Sequence, residues 1–233
     1  MILLAQGRVG GGLPAASRAV PIRETSMEDS ASGSSLLDNA PRPEYLAKVV
    51  ATRAELRADL EAALGDAKRF VWEVGCGHGH FLTAYADRHR DVPCIGIDLL
   101  NERLVRATKK KNRARLPHLH FIRADAQMFL EELPADLEFA AIYVLFSDPW
   151  PKKRHHKNRI IQGRFLSDVA RHAPAGVPLY FRTDHSGYFS AALEIVQAHP
   201  DWRVDPEAPW PFELPTVFQQ RAQSFQSIVA LRR

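Results

Sequence analysis

The chain has 233 residues, an apolar fraction of 45%, a charged fraction of 25% and a formal net charge of +4, all ordinary for a soluble globular protein. No apolar stretch reaches the length that spans a membrane, so we expect no membrane partner. The two cysteines, Cys76 and Cys94, give neither a disulfide framework nor the spacing of a metal site. We therefore expect no metal and a reducing, cytoplasmic compartment.

The first part of the chain differs in composition from the rest. Residues 1–40 are rich in Gly, Ser, Ala and Pro, and they are predicted to form a flexible tail. Met27, within this stretch, is a candidate for the natural start. Residues 41–233 are predicted to form a single domain, whose first element is a helix over Tyr45–Leu64 that ends at Gly65.

After this helix, strand-like apolar runs alternate with helical segments. Strands are predicted at Phe70–Val74, Val92–Ile97, Leu119–Ile122, Phe139–Phe146 and Val177–Arg182, and helices at 79–90, 101–115, 125–132, 159–172 and 187–199. The alternation indicates βαβ units around a parallel sheet. A last pair, Trp202–Val204 and Ser224–Leu231, is predicted to add two antiparallel strands.

A glycine-rich turn follows the first predicted strand and opens a helix. It reads Glu73-Val74-Gly75-Cys76-Gly77-His78-Gly79, and its glycines let the backbone turn tightly and approach a ligand without Cβ collisions. The dinucleotide fingerprint Gly-x-Gly-x-x-Gly is not met, because its last position is His80. The acidic-x-Gly-x-Gly-x-Gly form instead resembles motif I of class I S-adenosylmethionine-dependent methyltransferases.

Two further acids follow the next two strands. Asp98 could accept hydrogen bonds from a ribose diol, and Asp125 could accept from an adenine amino group. Each could instead be only a helix N-cap. Acids at three successive strand ends suit a cationic sulfonium better than a pyrophosphate, which favours positive surroundings.

The fourth strand leads into a carboxylate, an aromatic residue and a dense basic stretch. The continuous apolar run 139–146 is typical of a buried parallel strand, and Asp148-Pro149-Trp150 follows it, where open α/β sheets bind ligands. Residues 101–115 contain seven Lys/Arg and residues 148–164 contain six. These clusters are either solvated faces or a footprint for nucleic-acid phosphates.

The segment around Asp148 carries a family resemblance. Ser147-Asp148-Pro149-Trp150-Pro151-Lys152-Lys153-Arg154-His155 closely resembles the Pro-Asp-Pro-Trp-x-Lys-x-Arg-His segment of the tRNA (guanine-N7-)-methyltransferase family. Thr183-Asp184 and Thr216-x-Phe218 match further motifs of that family. The resemblance implies an α/β, Rossmann-like class I methyltransferase fold in a single domain. Its sheet would be mostly parallel and seven-stranded, with helices on both faces and an antiparallel C-terminal strand pair.

The resemblance also implies a reaction and the residues that perform it. S-adenosyl-L-methionine would be the cofactor, tRNA the partner and N7 of variable-loop guanine 46 the methylated atom, without an obligate protein partner. Cofactor binding is expected at Glu73, Gly75, Gly77, Gly79, Asp98, Asp125 and Asp148. Asp148 is the implied catalytic position, as a positioner and electrostatic stabiliser. Substrate binding is expected at Lys152, Arg154, Asp184, Thr216, Phe218 and Gln219, with Arg154 suited to bidentate phosphate contact.

Three positions depart from the family's pattern. Ser147 replaces a usual Pro, Gln226 a usual Gly, and Gln219 the Glu expected after Thr-x-Phe. A carboxylate can accept from both N1–H and the N2 amino group of guanine, whereas an amide offers one acceptor and a mismatched donor. A buried polar group left unpaired would cost about 1–3 kcal/mol, so Gln219 bears directly on guanine selection.

Two other functions remain open at this point. One is an exocyclic-amine RNA methyltransferase, whose Asn/Asp-Pro-Pro-aromatic motif Ser147-Asp148-Pro149-Trp150 loosely imitates. The other is a non-catalytic RNA-binding relative, in line with the change at Gln219. Trp150 is also ambiguous, because it could anchor its loop or stack on a base.

Overall fold

The computed structural model describes residues 42–213 and 224–233. The predicted tail at 1–40 and the expected substrate-binding residues Thr216, Phe218 and Gln219 lie outside the described residues.

The described residues contain one mixed sheet, formed by β1 (Arg69–Val74), β2 (Cys94–Asp98), β3 (Leu119–Arg123), β4 (Glu138–Leu145), β5 (Pro178–Thr183), β6 (Trp202–Val204) and β7 (Gln226–Arg232). The seven strands have the spatial order β3-β2-β1-β4-β5-β7-β6. Strands β1 to β5 are parallel, and β7 runs antiparallel to both β5 and β6. The predicted fold class, including the antiparallel C-terminal pair, is confirmed.

The helices are α1 (Pro43–Leu64), α2 (His80–Arg88), α3 (Asn101–Ala114), α4 (Ala126–Glu132), α5 (Gly163–Ala170) and α6 (Ser186–Ala198). Gly65 ends α1 as predicted, with φ 50°. The helix predicted at 159–172 is wrong in its first part: a short 3-10 helix covers Lys153–Asn158, and α5 begins only at Gly163. Arg159 between them has extended backbone (φ −64°, ψ 139°), and its side chain is buried.

Apolar cores cover both faces of the sheet. On one face Trp72 stacks against Phe129 of α4 and Phe139 of β4, with ring centroids 4.8 and 5.1 Å away, and helices α1, α4, α5 and α6 pack there. On the other face Tyr143 and Tyr180 stack at 4.9 Å beside the apolar residues of α2. Burial on both faces explains why β4 is continuously apolar instead of alternating.

Strand β1 lies where the strand order reverses. The chain runs outward from β1 through β2 to β3 and then returns to β4 on the other side of β1. Val74 of β1 pairs with Ile97 of β2 and with Val144 of β4, so the carboxyl ends of these three strands are aligned. Open α/β sheets bind ligands in the crevice at such a switch point.

Candidate active site

The carboxyl edge of the parallel strands gathers the described residues that the sequence singled out. The glycine turn follows β1, Asp98 ends β2, and Asp125 lies just beyond β3. Asp148 follows β4 and Asp184 follows β5. Because these five strands are parallel neighbours, the loops that carry these acids lie along one edge of the sheet.

The glycine turn (residues 75–79) is fastened to the neighbouring strand by Asp98. Gly77 N–H donates to Asp98 Oδ2 at 3.0 Å, and Leu100 N–H donates to Oδ1 at 2.8 Å. Arg103 Nη1 lies 3.5 Å from Oδ2, and the Asp98 side chain is only 5% exposed. Asp98 therefore orders the turn itself, and its contact with a ribose remains a prediction.

Gly79 is the N-cap residue of α2, directly before the first helical residue His80. It has φ 67°, and a Cβ added there would lie 2.5 Å from Cζ of Phe121 and 2.7 Å from Cβ of Ala107. Both the left-handed backbone and the close approach of β3 and α3 require glycine. The last glycine of the motif thus has a packing role.

Glu73 is a buried acid at the end of β1, only 3% exposed. Oε2 of its carboxylate has no hydrogen-bond partner among the described residues. Burial raises the pKa of Glu73 to about 8; the Leu82 N–H opposes this shift and the charge of Asp98 adds to it. A buried acceptor without a partner at a ligand-binding edge is a candidate for contact with a cationic group.

Asp125 caps helix α4. Its Oδ1 accepts from Met128 N–H at 2.9 Å, so the N-cap alternative is confirmed for this residue. Asp125 is also exposed, and its contact with an adenine amino group remains a prediction.

Asp148 is exposed in a loop, residues 146–150, that has unusual backbone at both ends. Phe146 has φ 51° and Trp150 has φ 44°, values that bulky residues rarely adopt. Phe146 N–H donates to the carbonyl of Arg182 at 2.8 Å. The Trp150 ring meets His155 edge-on at 5.7 Å, a contact that suits the loop-anchor role; stacking on a base remains a prediction.

The basic stretch after Asp148 divides into exposed and buried residues. The exposed cations are Lys152, Lys153, Arg154, Lys157 and the ion-paired Arg164. Arg159 is only 4% exposed, and Arg164 lies 3.6 Å from Asp168 and 3.7 Å from Glu131. Arg159 is therefore excluded from a phosphate footprint at 148–164, because a buried arginine cannot reach an RNA phosphate on the surface.

The basic helix α3 borders the glycine turn. Lys110 Nζ donates to the carbonyl of His78 at 2.8 Å. Burial, together with the charges of Arg106 and Lys110, lowers the pKa of His78. Arg106, Lys109 and Arg113 are exposed on the same helix and form a cationic surface beside the turn.

Arg182 is a site-edge residue that the sequence did not single out. It is 4% exposed, forms a two-pronged contact with Glu213 at 3.0 and 2.9 Å, and donates to Ser227 Oγ at 2.8 Å. Its guanidinium also lies over the rings of Trp210 and Phe225, at 3.8 and 4.5 Å. The sequence could have predicted these contacts from the position of an arginine inside an apolar strand, because a buried cation requires partners.

The end of β5 carries the Thr-Asp pair noted in the sequence. Thr183 is buried, and its Oγ1 accepts from His185 N–H at 3.2 Å, while Asp184 is exposed. Gln226, which replaces a usual glycine, pairs with Thr183 at the start of β7.

The described residues also form an open groove that contains none of the predicted site residues. An open groove of about 420 Å³ is lined by residues of α1, α3 and β3, including Asp59, Asn101 and Phe121, and by none of the predicted site residues. In 42–213 and 224–233 no helix is long and apolar enough to cross a membrane. The same ranges contain no group of three or more His, Cys, Asp or Glu that could hold a metal ion.

A glycine turn after β1, acids at the carboxyl ends of β1 to β4 and the strand order of this sheet are those of the class I methyltransferase fold. The crystal structure of TrmN from Thermus thermophilus has the same fold, with a TM-score of 0.51 at 17% identity over 78% of this chain and 48% of that one.

The family follows from sequence comparison. A family model described as "Putative methyltransferase" matches residues 67–229. A tRNA (guanine-N(7)-)-methyltransferase of Mycobacterium avium is 32% identical over 176 residues, which are 73% of this chain and 68% of the relative. One of Brevibacillus brevis is 39% identical over 121 residues, 52% of this chain, and the match spans only 56% of that relative's length. The chain belongs to the tRNA (guanine-N7-)-methyltransferase family of S-adenosylmethionine-dependent methyltransferases.

Proposed function

We propose that this protein is a cytoplasmic enzyme that transfers the methyl group of S-adenosyl-L-methionine to N7 of a guanine in tRNA, with variable-loop guanine 46 as the target. One observation carries the proposal: the glycine turn after β1 and the Asp148 loop after β4 follow adjacent strands at the switch point. Exposed cations follow Asp148 directly, where a polyanionic substrate would need them. Membership of the family supports the same reaction.

The residues present fit a cationic methyl donor. Glu73 Oε2 has no partner among the described residues, and Cβ atoms added at Gly75 and Gly77 would meet nothing within 4 Å. Buried acids beside open space favour a positive ligand, because an opposite charge stabilises their ionised form. When bound, S-adenosylmethionine supplies an electrophilic methyl group on a positively charged sulfur. We assign its binding to Glu73, the glycine turn, Asp98 and Asp125, with Asp148 at the reacting end.

Asp148 acts in this proposal through its charge and position. Guanine N7 has a free lone pair, so its attack on the methyl carbon requires no base. As the new N–C bond forms and the C–S bond breaks, the positive charge passes to the guanine ring. The Asp148 carboxylate would stabilise that charge, and the surrounding loop would help to position the guanine next to the methyl group.

The RNA would be bound mainly through its phosphates. Lys152 and Arg154 are exposed next to Asp148 and are assigned to substrate contact together with Asp184. The exposed cations of α3 extend the basic surface past the glycine turn. Thr216, Phe218 and Gln219 are assigned to the guanine base on the family motif alone. The amide of Gln219 predicts weaker guanine selection than a glutamate at that position.

A methylation assay tests the proposal. Purified protein would be incubated with methyl-labelled donor and an unmodified tRNA transcript, which is then treated with borohydride and aniline to cleave at 7-methylguanine. We expect incorporation and cleavage at guanine 46, and neither in a transcript with adenine there. Asp148→Asn should lower kcat about 100-fold or more, since it removes the stabilising charge. Asp136→Asn, at an exposed acid beyond the amino end of β4, should remain within about twofold of wild type.

The same assay distinguishes the alternatives. Incorporation that resists aniline cleavage would identify an exocyclic-amine methyltransferase and refute the N7 assignment. Binding of tRNA without incorporation would identify a non-catalytic RNA-binding relative.

A further inference from the structure

We propose that Arg159 is a positioning residue that acts on Asp148. It fixes the Asp148 loop against α6 and the basic 3-10 helix. Its consequence for turnover rests on the proposed function, whereas its effect on the loop can be measured independently. Arg159 belongs to the basic stretch that follows Asp148, but it differs from its exposed neighbours because it is 4% exposed.

Three separate segments meet at the Arg159 guanidinium. Nε donates to the carbonyl of Pro149 at 2.8 Å, and Nη1 donates to the carbonyl of Gly187 in the first turn of α6 at 3.3 Å. Nη2 lies 3.1 Å from Nε2 of His156 in the 3-10 helix. The guanidinium also lies over the ring of Tyr188, 4.9 Å from its centroid. A planar fork of donors is required to reach all three acceptors at once.

The tautomer of His156 follows from this contact. A guanidinium can only donate, so His156 Nε2 must accept and the ring proton must lie on Nδ1. The carbonyl of His156 in turn accepts from the Arg159 backbone N–H at 3.1 Å and from Gln162 Nε2 at 2.9 Å. The 3-10 helix that carries the exposed cations is therefore joined to the Asp148 loop through Arg159.

Both neighbours of Asp148 are tethered to this cluster. Pro149 is bound by Arg159, and Ser147 Oγ lies 3.5 Å from the hydroxyl of Tyr188. The same hydroxyl accepts from Ile161 N–H at 3.2 Å, and Tyr188 is fully buried. Asp148 thus projects from between two fixed residues, which restricts the directions that its carboxylate can take.

The backbone of the loop explains why external tethers are required. Phe146 and Trp150 have φ of 51° and 44°, strained conformations that persist only where surrounding contacts over-determine them. Without the Pro149 contact the loop could relax and move the Asp148 carboxylate away from the reacting atoms. A displacement of about 1 Å is enough to slow an aligned reaction markedly.

The kinetic test compares Arg159→Lys with Arg164→Lys. Lysine keeps the charge and one donor but cannot form the fork, and Arg164 is an exposed, ion-paired arginine of the same stretch. For Arg159→Lys we expect kcat to fall about tenfold or more. The Kd for tRNA and the slope of log Kd against log salt should match wild type, because no phosphate contact is lost. The stoichiometry of S-adenosylmethionine binding gives the folded fraction of each variant, and kcat is corrected for that fraction.

The structural test needs no turnover. Trypsin cleavage after Lys152, Lys153, Arg154 or Lys157 should be about fivefold faster in Arg159→Lys than in Arg164→Lys, because the loop and 3-10 helix open more readily. Tyr188→Phe, which removes only the hydroxyl near Ser147 and Ile161, provides a milder variant if Arg159→Lys folds poorly. It should lower kcat by a smaller factor with the Kd for tRNA unchanged.

The outcomes separate this inference from the proposed function. A wild-type protein that does not methylate tRNA would refute the proposed function, while proteolysis would still test the tether. Wild-type kcat in Arg159→Lys, or equal cleavage rates in the two variants, would overturn the inference. So would a loss confined to the Kd for tRNA with a reduced salt slope, since that identifies a phosphate contact.

Discussion

The carboxyl group of Glu73 links protonation to stability at the carboxyl edge of the sheet. Its pKa of about 8 lies above the ordinary 4.5 because burial disfavours the charged form. The folded state therefore binds this proton more tightly than the unfolded state does. The resulting stabilisation is complete below about pH 4.5 and is lost as the pH rises through about 8.

Glu73→Gln removes this titration while keeping the shape of the side chain. In the absence of S-adenosylmethionine, we expect the Tm of wild type to fall relative to that of Glu73→Gln as the pH is raised from about 5 to 8. A cationic ligand beside Glu73 would favour the ionised form, so donor affinity should rise over the same window in wild type only. Thermal unfolding and calorimetry at several pH values measure both effects, and parallel Tm curves would contradict the assignment.

Sequence reasoning located the acids of the site but not the arginines that support it. Asp98, Asp125 and Asp148 could be placed because strand ends are visible in a single sequence and parallel strands share one edge. The burial of Arg159 and Arg182 depends on contacts with segments far along the chain, such as Gly187 and Glu213. Local composition shows only that these residues are basic, so the sequence places Arg159 in a cluster that is either a solvated face or a phosphate footprint.

At the scale of elements, the start of α2 depends on a glycine and the start of α5 does not. Gly79→Ala should destabilise the fold by about 2–4 kcal/mol, because φ is 67° and the new Cβ would collide with Phe121. Gly163→Ala is the matched control at the first residue of α5. There a Cβ meets nothing within 4 Å, and alanine should be neutral or slightly stabilising.

Urea unfolding of both variants measures the difference in the free energy of unfolding. Binding of the methyl donor tests whether the glycine turn belongs to its binding site. Equal stability of the two variants would show that β3 can move away from the turn. Donor affinity that is unchanged in Gly79→Ala would show that the turn is not part of the donor site.

Most elements were predictable because their apolar periods are strong, and the exceptions have tertiary causes. Strands β1 to β5 and the final antiparallel pair match their predicted positions to within a few residues. The helix predicted at 159–172 is wrong over 159–162, where Arg159 has extended backbone and its buried side chain contacts Pro149 and Gly187. The hydrophobic periodicity of the sequence does not predict such a contact.

At the scale of the whole molecule, acidic and basic side chains occupy different elements beside the same edge of the sheet. Acids of successive strand ends lie along the carboxyl edge, while exposed cations lie on the 3-10 helix and on α3. A donor with a positive sulfur and a polyanionic RNA would therefore meet opposite charges at neighbouring surfaces. This separation predicts that RNA affinity depends on salt and that the two basic surfaces contribute independently.

Alanine substitutions of each basic surface test this arrangement. One variant replaces the exposed cations Lys153, Arg154 and Lys157 of the 3-10 helix, and another replaces Arg106, Lys109 and Arg113 of α3. Each lost phosphate contact should reduce the slope of log Kd against log salt by about 0.7–0.9, so each variant should lose up to about 2–3. Replacing the ion-paired Arg164 and Arg171 by alanine should leave the slope unchanged. An α3 variant with the wild-type slope would make that helix a solvated face and confine the RNA footprint to the segment after Asp148.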